Sequence, residues 1–319
     1  MRLGVVGYGR LGAALERQLI SSKEDELVAI FTRRPPHLVK TLSGRQEALD
    51  DALHFASRVD CLLIAQGSAL DVPGLTPSLC RSFSVVDSYD NHSDLSRHIA
   101  ECDRVARASG KLAVVGAGWD PGLLSVIRTL SATVLPSSPV HTFWGEGVSQ
   151  GHSEAVRHID GVIDAVQYTV PNEAAIKKAL SGETTIAKSE KHKRVCYIAA
   201  EKGKEEQIRS EVINMPEYFL GYETEVFFVS PGELHSLHSS LSHRGRVISV
   251  GKPYPSATER CGFDFSLFCG SNPELTASVM LSAAHALERL KARGCVGALS
   301  LPEIPPSLLC EDDTYLSLL

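Results

Sequence analysis

Short apolar runs alternate with amphipathic stretches through the first third of the chain. "RLGVVG", "ELVAIFT", "VDCLLIAQG", "FSVVDS" and "KLAVVGAG" are almost continuously apolar, the pattern of strands covered on both faces of a parallel sheet. "RLGAALERQLI" places Leu11, Leu15 and Leu19 on one helical face. "DLSRHIAECDRVARASG" turns Leu95, Ile99, Cys102, Val105 and Ala106 inward and stops at Gly110. Alternation of this kind from residue 2 to about 118 predicts a doubly wound α/β domain. Pro35 to Asp51, "PPHLVKTLSGRQEALDD", is its most loop-like part.

The pattern changes after about residue 119. "PVHTFWG", "AVQYTVP", "RVCYIAA", "YETEVFFVS", "GRVISVG" and "CGFDFSLFCG" read as strands, several with period-two alternation: Phe263, Phe265 and Leu267 alternate with Asp264 and Ser266. Short helices such as "KEEQIRSEVIN" intervene. The expectation is an α+β region with a mixed or largely antiparallel sheet over 119–272, following an α/β domain over 1–118. A long one-sided helix, Glu274 to Arg293, lies in the segment 273–319 and is expected to return to the first domain.

The length of 319 residues accommodates two domains, and 43% hydrophobic residues is an ordinary globular composition. A net charge of −6 excludes nucleic acid as the main partner, since no basic excess is present to neutralise phosphates. No apolar run is long enough to span a membrane, and a first strand from Arg2 leaves no room for a cleavable leader. The eight cysteines are scattered, form no CxxC pair and show no zinc spacing, so reduced thiols in a cytoplasm and no metal are expected. His92 with His98, and His235 with His238, read as surface or helix-face histidines rather than metal pairs.

Gly7, Gly9 and Gly12 form G-x-G-x-x-G between the first strand and the first helix. In that setting the glycines permit a tight turn, backbone approach to a pyrophosphate and close helix–strand packing. Amide N–H groups at the helix start then bind the phosphates. About 20 positions further on, an NAD site carries an acid for the ribose hydroxyls. Here "FTRR" supplies Arg33 and Arg34 instead. A guanidinium accepts no hydrogen bond from a hydroxyl but clamps a 2′-phosphate with two N–H donors. The cofactor expected is therefore NADP. Arg10, within the loop, either adds charge near the phosphates or stands on the surface.

Ligands of such sheets sit beyond the carboxyl ends of the strands. "QGSALD", "SYDNHSD" and "GAGWDPG" fall there. Asp90 and Asp120 follow different strands and suit an ammonium-bearing substrate, with one of them moving a proton. Each has an alternative: Asp90 as an Asx-turn or cap, Asp120 as the N-cap of a helix opened by Pro121.

The chain resembles the meso-diaminopimelate dehydrogenases. "VVGYGRLG", "FTRR", "VDSYDNH", "GWDPGLLS", "HTFWGEGVSQGHS", "AVQYTVP", "HKR", "MPEYFLGYETEV" and "SNPELTAS" carry the resemblance, of which "HTFWGEGVSQGHS" is the most specific. It implies an N-terminal Rossmann-type domain, an α+β region for substrate binding and dimerisation, and a homodimer. It also implies NADP-dependent oxidative deamination of the D-centre of meso-2,6-diaminopimelate to L-2-amino-6-oxopimelate, which cyclises to tetrahydrodipicolinate. Asp90 and Asp120 are then expected at the reacting amine, Trp119 and Trp144 around the pocket, and Gln150 and Gly151 near that centre's carboxylate. Thr169, Arg194, His243 and Asn272 are expected at the distal L-centre. The cofactor site extends over Gly7, Tyr8, Gly9, Arg10, Leu11 and Gly12, then Thr32, Arg33 and Arg34. It continues through Gly67, Ser68 and Ala69, Asn91 and His92, and the turn Trp119, Asp120, Pro121, Gly122. Arg244 follows His243 where the family commonly has glycine, and the tail after Val296 carries no assignable pattern. The residues also admit another NADP-dependent amino-acid pathway reductase, such as a dihydrodipicolinate reductase, or a non-catalytic NADP sensor. The histidine-rich motif and catalytic lysine of the former are not found, and the two carboxylates and "HKR" argue against the latter.

Overall fold

The structure is a computed structural model of the chain. It describes residues 1–67, 71–216, 218–237, 242–310 and 312–319, with backbone alone at 150, 312 and 313. Ser68, Ala69 and His238 lie outside the described residues.

The apolar runs form strands β1 (Arg2–Val6), β2 (Glu26–Thr32), β3 (Gln46–Ala48), β4 (Cys61–Ile64), β5 (Ser84–Asp87) and β6 (Leu112–Val115). Helices α1 (Arg10–Ser21), α2 (Val72–Cys80) and α3 (Leu95–Ser109) cross over between them. Gly110 ends α3 in the left-handed conformation, at φ 62°, which glycine adopts without steric cost. The strand pairings are all parallel.

Alternation explains why these strands read as continuous apolar runs. Leu3, Val5, Leu63 and Val114 pack on one face; Val6, Leu62, Val85 and Val115 pack on the other. Chain contacts divide the molecule into unit 1, Met1–Val126 with Pro273–Leu319, and unit 2, Ile127–Asn272. The division falls after Val126 rather than at 118 because the turn that follows β6 stays with unit 1. Its Gly118 N–H donates to the Pro121 carbonyl, and Leu124 behind it is fully buried.

Unit 2 is built on strands β7 (Val140–Trp144), β8 (Gly147–Val148), β9 (Val162–Pro171), β10 (His192–Ala200), β11 (Thr224–Phe228), β12 (His243–Gly251) and β13 (Cys261–Cys269). One sheet runs β11-β10-β9-β8 and is mixed; the other, β13-β12-β7, is antiparallel. Helix α4 (Leu123–Val134) leads in from unit 1, and α5 (Gln150–Arg157), α6 (Glu173–Leu180), α7 (Lys188–Lys191), α8 (Glu205–Ile213) and α9 (Pro231–Leu237) complete the region. Val156 of α5 and Ile208 and Val212 of α8 cover Ala165, Cys196 and Ile198 of the mixed sheet, while α6 covers Phe143 and Ile248 of the other.

Helix α10 (Asn272–Ala292) then places Ala277, Met280, Ala284 and Leu287 in the same core as Leu3, Val5 and Leu15. The tail contributes β14 (Gly297–Ser300), a seventh strand paired to β6, giving the order β14-β6-β5-β4-β1-β2-β3. It is pinned by the Ala298 N–H donating to Asp103 at 2.8 Å. The stretch Pro35–Asp51, expected as loop, carries β3 on the edge of β2. Met280 is fully buried, so Met280→Ala is expected to cost about 2–5 kcal/mol, the range for truncating a core methionine. Urea denaturation measures this; a loss within the roughly 0.5 kcal/mol of a surface substitution would show that α10 does not belong to that core.

Candidate active site

The sheet order reverses at β1, which lies between β2 and β4, and crevices in such sheets open at that point. A cavity of about 400 Å³ lies there, lined by Gly7, Tyr8, Gly9, Thr32, Arg33, Arg34, Ala65, Gln66, Gly67 and Asp71. A Cβ on Gly12 would come within 2.2 Å of the Gly7 carbonyl, so α1 packs on the turn only because residue 12 has no side chain. Gly9, the cap of α1, has open space where a Cβ would point. Tyr8 is tied down by its hydroxyl donating to buried Glu16, which pushes the phenol up to about 12, burial being the larger cause.

Both arginines line the cavity. Arg33 donates to both oxygens of Asp71 at 2.7 Å and to Gln66 at 3.1 Å. Its side chain is 59% exposed, and such a pair is worth about 0–1 kcal/mol. Arg34 donates to the Tyr8 carbonyl at 2.7 Å. Arg10 is exposed and Leu11 half-buried at the start of α1.

Beyond β5 and β6 the chain makes two turns. In the first, Asn91 takes the Asx role, its carbonyl accepting from the Ser93 N–H and hydroxyl, while Asp90 and His92 are exposed. In the second, Gly118 and Gly122 close on each other, and at φ 125° a Cβ on Gly122 would strike the Gly118 carbonyl at 1.9 Å. Trp119 is buried and Asp120 half-buried on this turn. Helix α4 starts at Leu123. Pro121 is therefore not its first residue, nor Asp120 its N-cap.

In unit 2 the period of the strands does the assembling. Arg194 on β10 and Thr169 on β9 are direct cross-strand partners, so their side chains share a face with His192 two residues away. Arg194 is 8% exposed. Its Nη1 donates to the Thr169 hydroxyl at 2.6 Å, and its guanidinium carbon lies 4.4 Å from the centre of the Tyr222 ring. Its Nε is buried with no hydrogen-bond partner. Burial holds the guanidinium below its ordinary pKa. Gly147, opposite Thr169 on β8, lies so close to His243 that a Cβ there would come within 2.5 Å of the ring. The ring Nδ1 of His243 pairs with the Arg244 carbonyl at 2.9 Å, and Arg244 is an exposed residue of regular strand β12, so glycine is not needed there. Gln150 and Gly151 open α5, and Asn272 opens α10.

Three neighbours of Arg194 were not legible as site residues. His192 accepts from the Trp144 N–H at 2.7 Å through Nε2 and stacks on the Trp144 ring, fixing that side chain. Burial, then the Arg194 charge, depresses its pKa to about 3. His152 pairs with the Ser149 hydroxyl at 2.7 Å, leaves Nε2 buried without a partner, and is depressed to about 4 by the same two causes. Tyr222 is the third. For the histidines a sequence signal existed, polar residues inside "HKRVCYIAA" and "SQGHS"; for Tyr222, which precedes β11, only the packing of its ring against the guanidinium reveals it.

A glycine cradle with a basic rim at the carboxyl end of a parallel sheet defines a nucleotide-binding fold. Residues 118–269 match the family model for the diaminopimelic acid dehydrogenase C-terminal domain. The chain is 39% identical to the meso-diaminopimelate D-dehydrogenase of Acetivibrio thermocellus over 97% of its own length and 94% of the relative's. It belongs to the meso-diaminopimelate D-dehydrogenase family. The Corynebacterium glutamicum diaminopimelate dehydrogenase in complex with diaminopimelate superposes with a TM-score of 0.92 at 38% identity, covering 99% of this chain and 98% of that one. An engineered D-amino acid dehydrogenase bound to NADP⁺ superposes with a TM-score of 0.87 at 36% identity over 99% and 98%.

The two depressed histidines make unit 2 acid-sensitive. Native His152 and His192 stay neutral down to about 4 and about 3, whereas unfolded histidine protonates near 6.5. Their stabilising effect is complete above pH ~6.5 and is lost as the pH falls below it, by up to ~1.4 kcal/mol per pH unit for each. His152→Asn is therefore expected to lose stability less steeply than wild type between about pH 6.5 and 5. Urea midpoints across that range measure it, and parallel curves would contradict it.

Proposed function

We propose that this chain catalyses the reversible NADP-dependent oxidative deamination of the D-centre of meso-2,6-diaminopimelate, giving L-2-amino-6-oxopimelate and ammonia. The full-length likeness to proteins named for that reaction carries the reading. The cradle fits the cofactor: Gly9 leaves room for a pyrophosphate, and Arg33 and Arg34 present guanidinium groups on the same cavity. An anion of higher charge than Asp71 competes well for Arg33, since the Arg33 side chain is more than half exposed. Ser68, Ala69, Asn91 and His92 extend the cofactor site in this reading.

When bound, NADP⁺ supplies the two-electron acceptor for the hydride leaving the D-carbon. Asp90 and Asp120 hold the reacting ammonium. Asp120 then takes one ammonium proton as the hydride departs and releases it to solvent. It next takes a proton from the water that attacks the imine carbon and passes it to the nitrogen, so that ammonia leaves as the C–N bond breaks, the carbonyl forms and the remaining hydroxyl proton goes to solvent. Trp119 and Trp144 exclude other water, and Gln150 and Gly151 meet the adjacent carboxylate. Thr169, Arg194, His243 and Asn272 bind the distal L-amino-acid head. What supports Arg194 in that role is its buried, unpartnered Nε, a donor whose burial costs free energy until an acceptor arrives. The chain acts as a homodimer, consistent with the half-exposed apolar row Phe263, Phe265 and Leu267 on β13. A cytoplasmic location accords with eight free cysteines.

The direct assay is NADPH formation with each stereoisomer. meso-Diaminopimelate is expected to support turnover and the L,L isomer none; turnover on the L,L isomer would overturn the D-centre reading. Arg33→Ala with Arg34→Ala removes charge-assisted contacts worth about 1.5–3 kcal/mol, so the KM for NADP should rise about tenfold or more while NAD use changes little. Unchanged NADP kinetics would refute that assignment. Asp120→Asn keeps shape and removes the base, and kcat should fall by about 10²-fold or more at near-wild-type thermal stability. A fully active Asp120→Asn would remove Asp120 from the chemistry.

A further inference from the structure

The last residue of β5 is a carboxylate that the reaction, as described so far, does not use. Asp87 ends an otherwise apolar strand and has no exposed surface. Burying a carboxylate is costly unless every lone pair is engaged. Here the engagement is specific. Asp87 Oδ1 accepts the Tyr89 N–H at 3.1 Å and the Gly116 N–H at 2.9 Å. The Asp87 backbone carbonyl accepts the Ala117 N–H at 2.7 Å. Oδ2 pairs with His98 Nε2 at 2.8 Å, and since a carboxylate only accepts, that nitrogen carries the hydrogen.

These bonds tie together two segments that pair only briefly as strands, at Val85–Ala113 and Val86–Val114. Tyr89 immediately precedes Asp90, and Gly116 and Ala117 lead into the turn of Trp119 and Asp120. His98, on α3, is itself 4% exposed and lies against the Tyr89 ring, with centroids 4.5 Å apart. Cys102 completes the pocket 3.9 Å from His98 Nε2, and burial pushes its thiol far up, so it contributes a neutral wall. The three groups have the proximity of a metal site, yet Asp87 and His98 already engage each other directly.

We infer that Asp87 is a positioning residue: its buried carboxylate, oriented by His98, sets the spacing of the two loops that carry Asp90 and Asp120. This rests on the proposed role of those carboxylates at the reacting amine. A buried carboxylate is a weak device for stability, since apolar replacements are often as stable. A single oxygen that accepts from both loops does what an apolar side chain cannot. Because reacting groups misplaced by about 1 Å cost on the order of 10²-fold in rate, a small change in loop spacing is felt in kcat.

The test compares Asp87→Ala, Asp87→Asn and Asp120→Asn for kcat, NADPH affinity by fluorescence titration, and thermal stability. Asp87→Ala is expected to lower kcat by about thirtyfold or more with a much smaller loss of NADPH affinity, since the glycine cradle follows β1 and only the Asn91–His92 and Trp119–Gly122 edge of the cofactor site rides on these loops. Asp87→Asn keeps one acceptor oxygen for both N–H groups and presents an amide donor to the reversed tautomer of His98, so it should recover most of the lost rate. Folded Asp87→Ala with wild-type kcat, beside an inactive Asp120→Asn, overturns the positioning role alone. A fully active Asp120→Asn overturns the underlying reading instead. Should Asp87→Ala not fold, His98→Phe carries the test: kcat should fall about tenfold or more, and adding Asp87→Asn should restore part of it. Wild-type kcat in folded His98→Phe overturns the inference.

Discussion

A guanidinium withdrawn from water organises unit 2. An unpaired buried charge costs several kcal/mol, and the sequence around Arg194 meets that cost only in part. Thr169 supplies one acceptor, Tyr222 a ring face, and Nε is left over. Burial, with the same charge second to it, keeps His152 and His192 neutral, so the histidines serve as hydrogen-bonding walls rather than further cations. One of them fixes Trp144 through its backbone N–H. The result is a buried guanidinium with one N–H donor left without an acceptor.

Unit 1 has the opposite local sign at its two turns and the same sign at its cradle. Asp90 and Asp120 stand on the turns beyond β5 and β6, joined beneath by Asp87. Arg33 and Arg34 stand beyond β2. In the proposed reading the turns of unit 1 meet the ammonium at the reacting carbon, its cradle meets the phosphate-bearing cofactor, and Arg194 of unit 2 meets the carboxylate at the substrate's far end.

The glycine loop was legible because its chemistry is backbone chemistry: only glycine fits at position 12 against the Gly7 carbonyl. Arg33 and Arg34 were legible from their offset after it. The doubly wound sheet followed from runs buried on both faces, and the helix from Glu274 from its one-sided pattern. What the sequence withheld depends on register. Nothing local says that Arg194 faces Thr169, that His192 meets the Trp144 backbone, or that Tyr222 lies under the guanidinium. Those facts require knowing which strands pair, and they involve strands far apart in the chain. Asp87 did leave a trace, a lone acid closing "FSVVD", but its partners on α3 and beyond β6 come from the fold. The four-residue strand β14 was too short to stand out in the tail.

The most direct measurement of the central claim removes the distal carboxylate and nothing else. D-Lysine retains the D-centre and the distal ammonium of meso-diaminopimelate but lacks that carboxylate. Leaving one partner of a buried charge pair unmatched costs about 2–5 kcal/mol, so wild type should prefer meso-diaminopimelate over D-lysine in kcat/KM by roughly 30-fold or more. In Arg194→Met, which removes both the gain and the penalty, that preference should collapse toward unity. A ratio unchanged by the substitution would contradict the account, leaving the buried guanidinium of Arg194 without a part in reading the substrate.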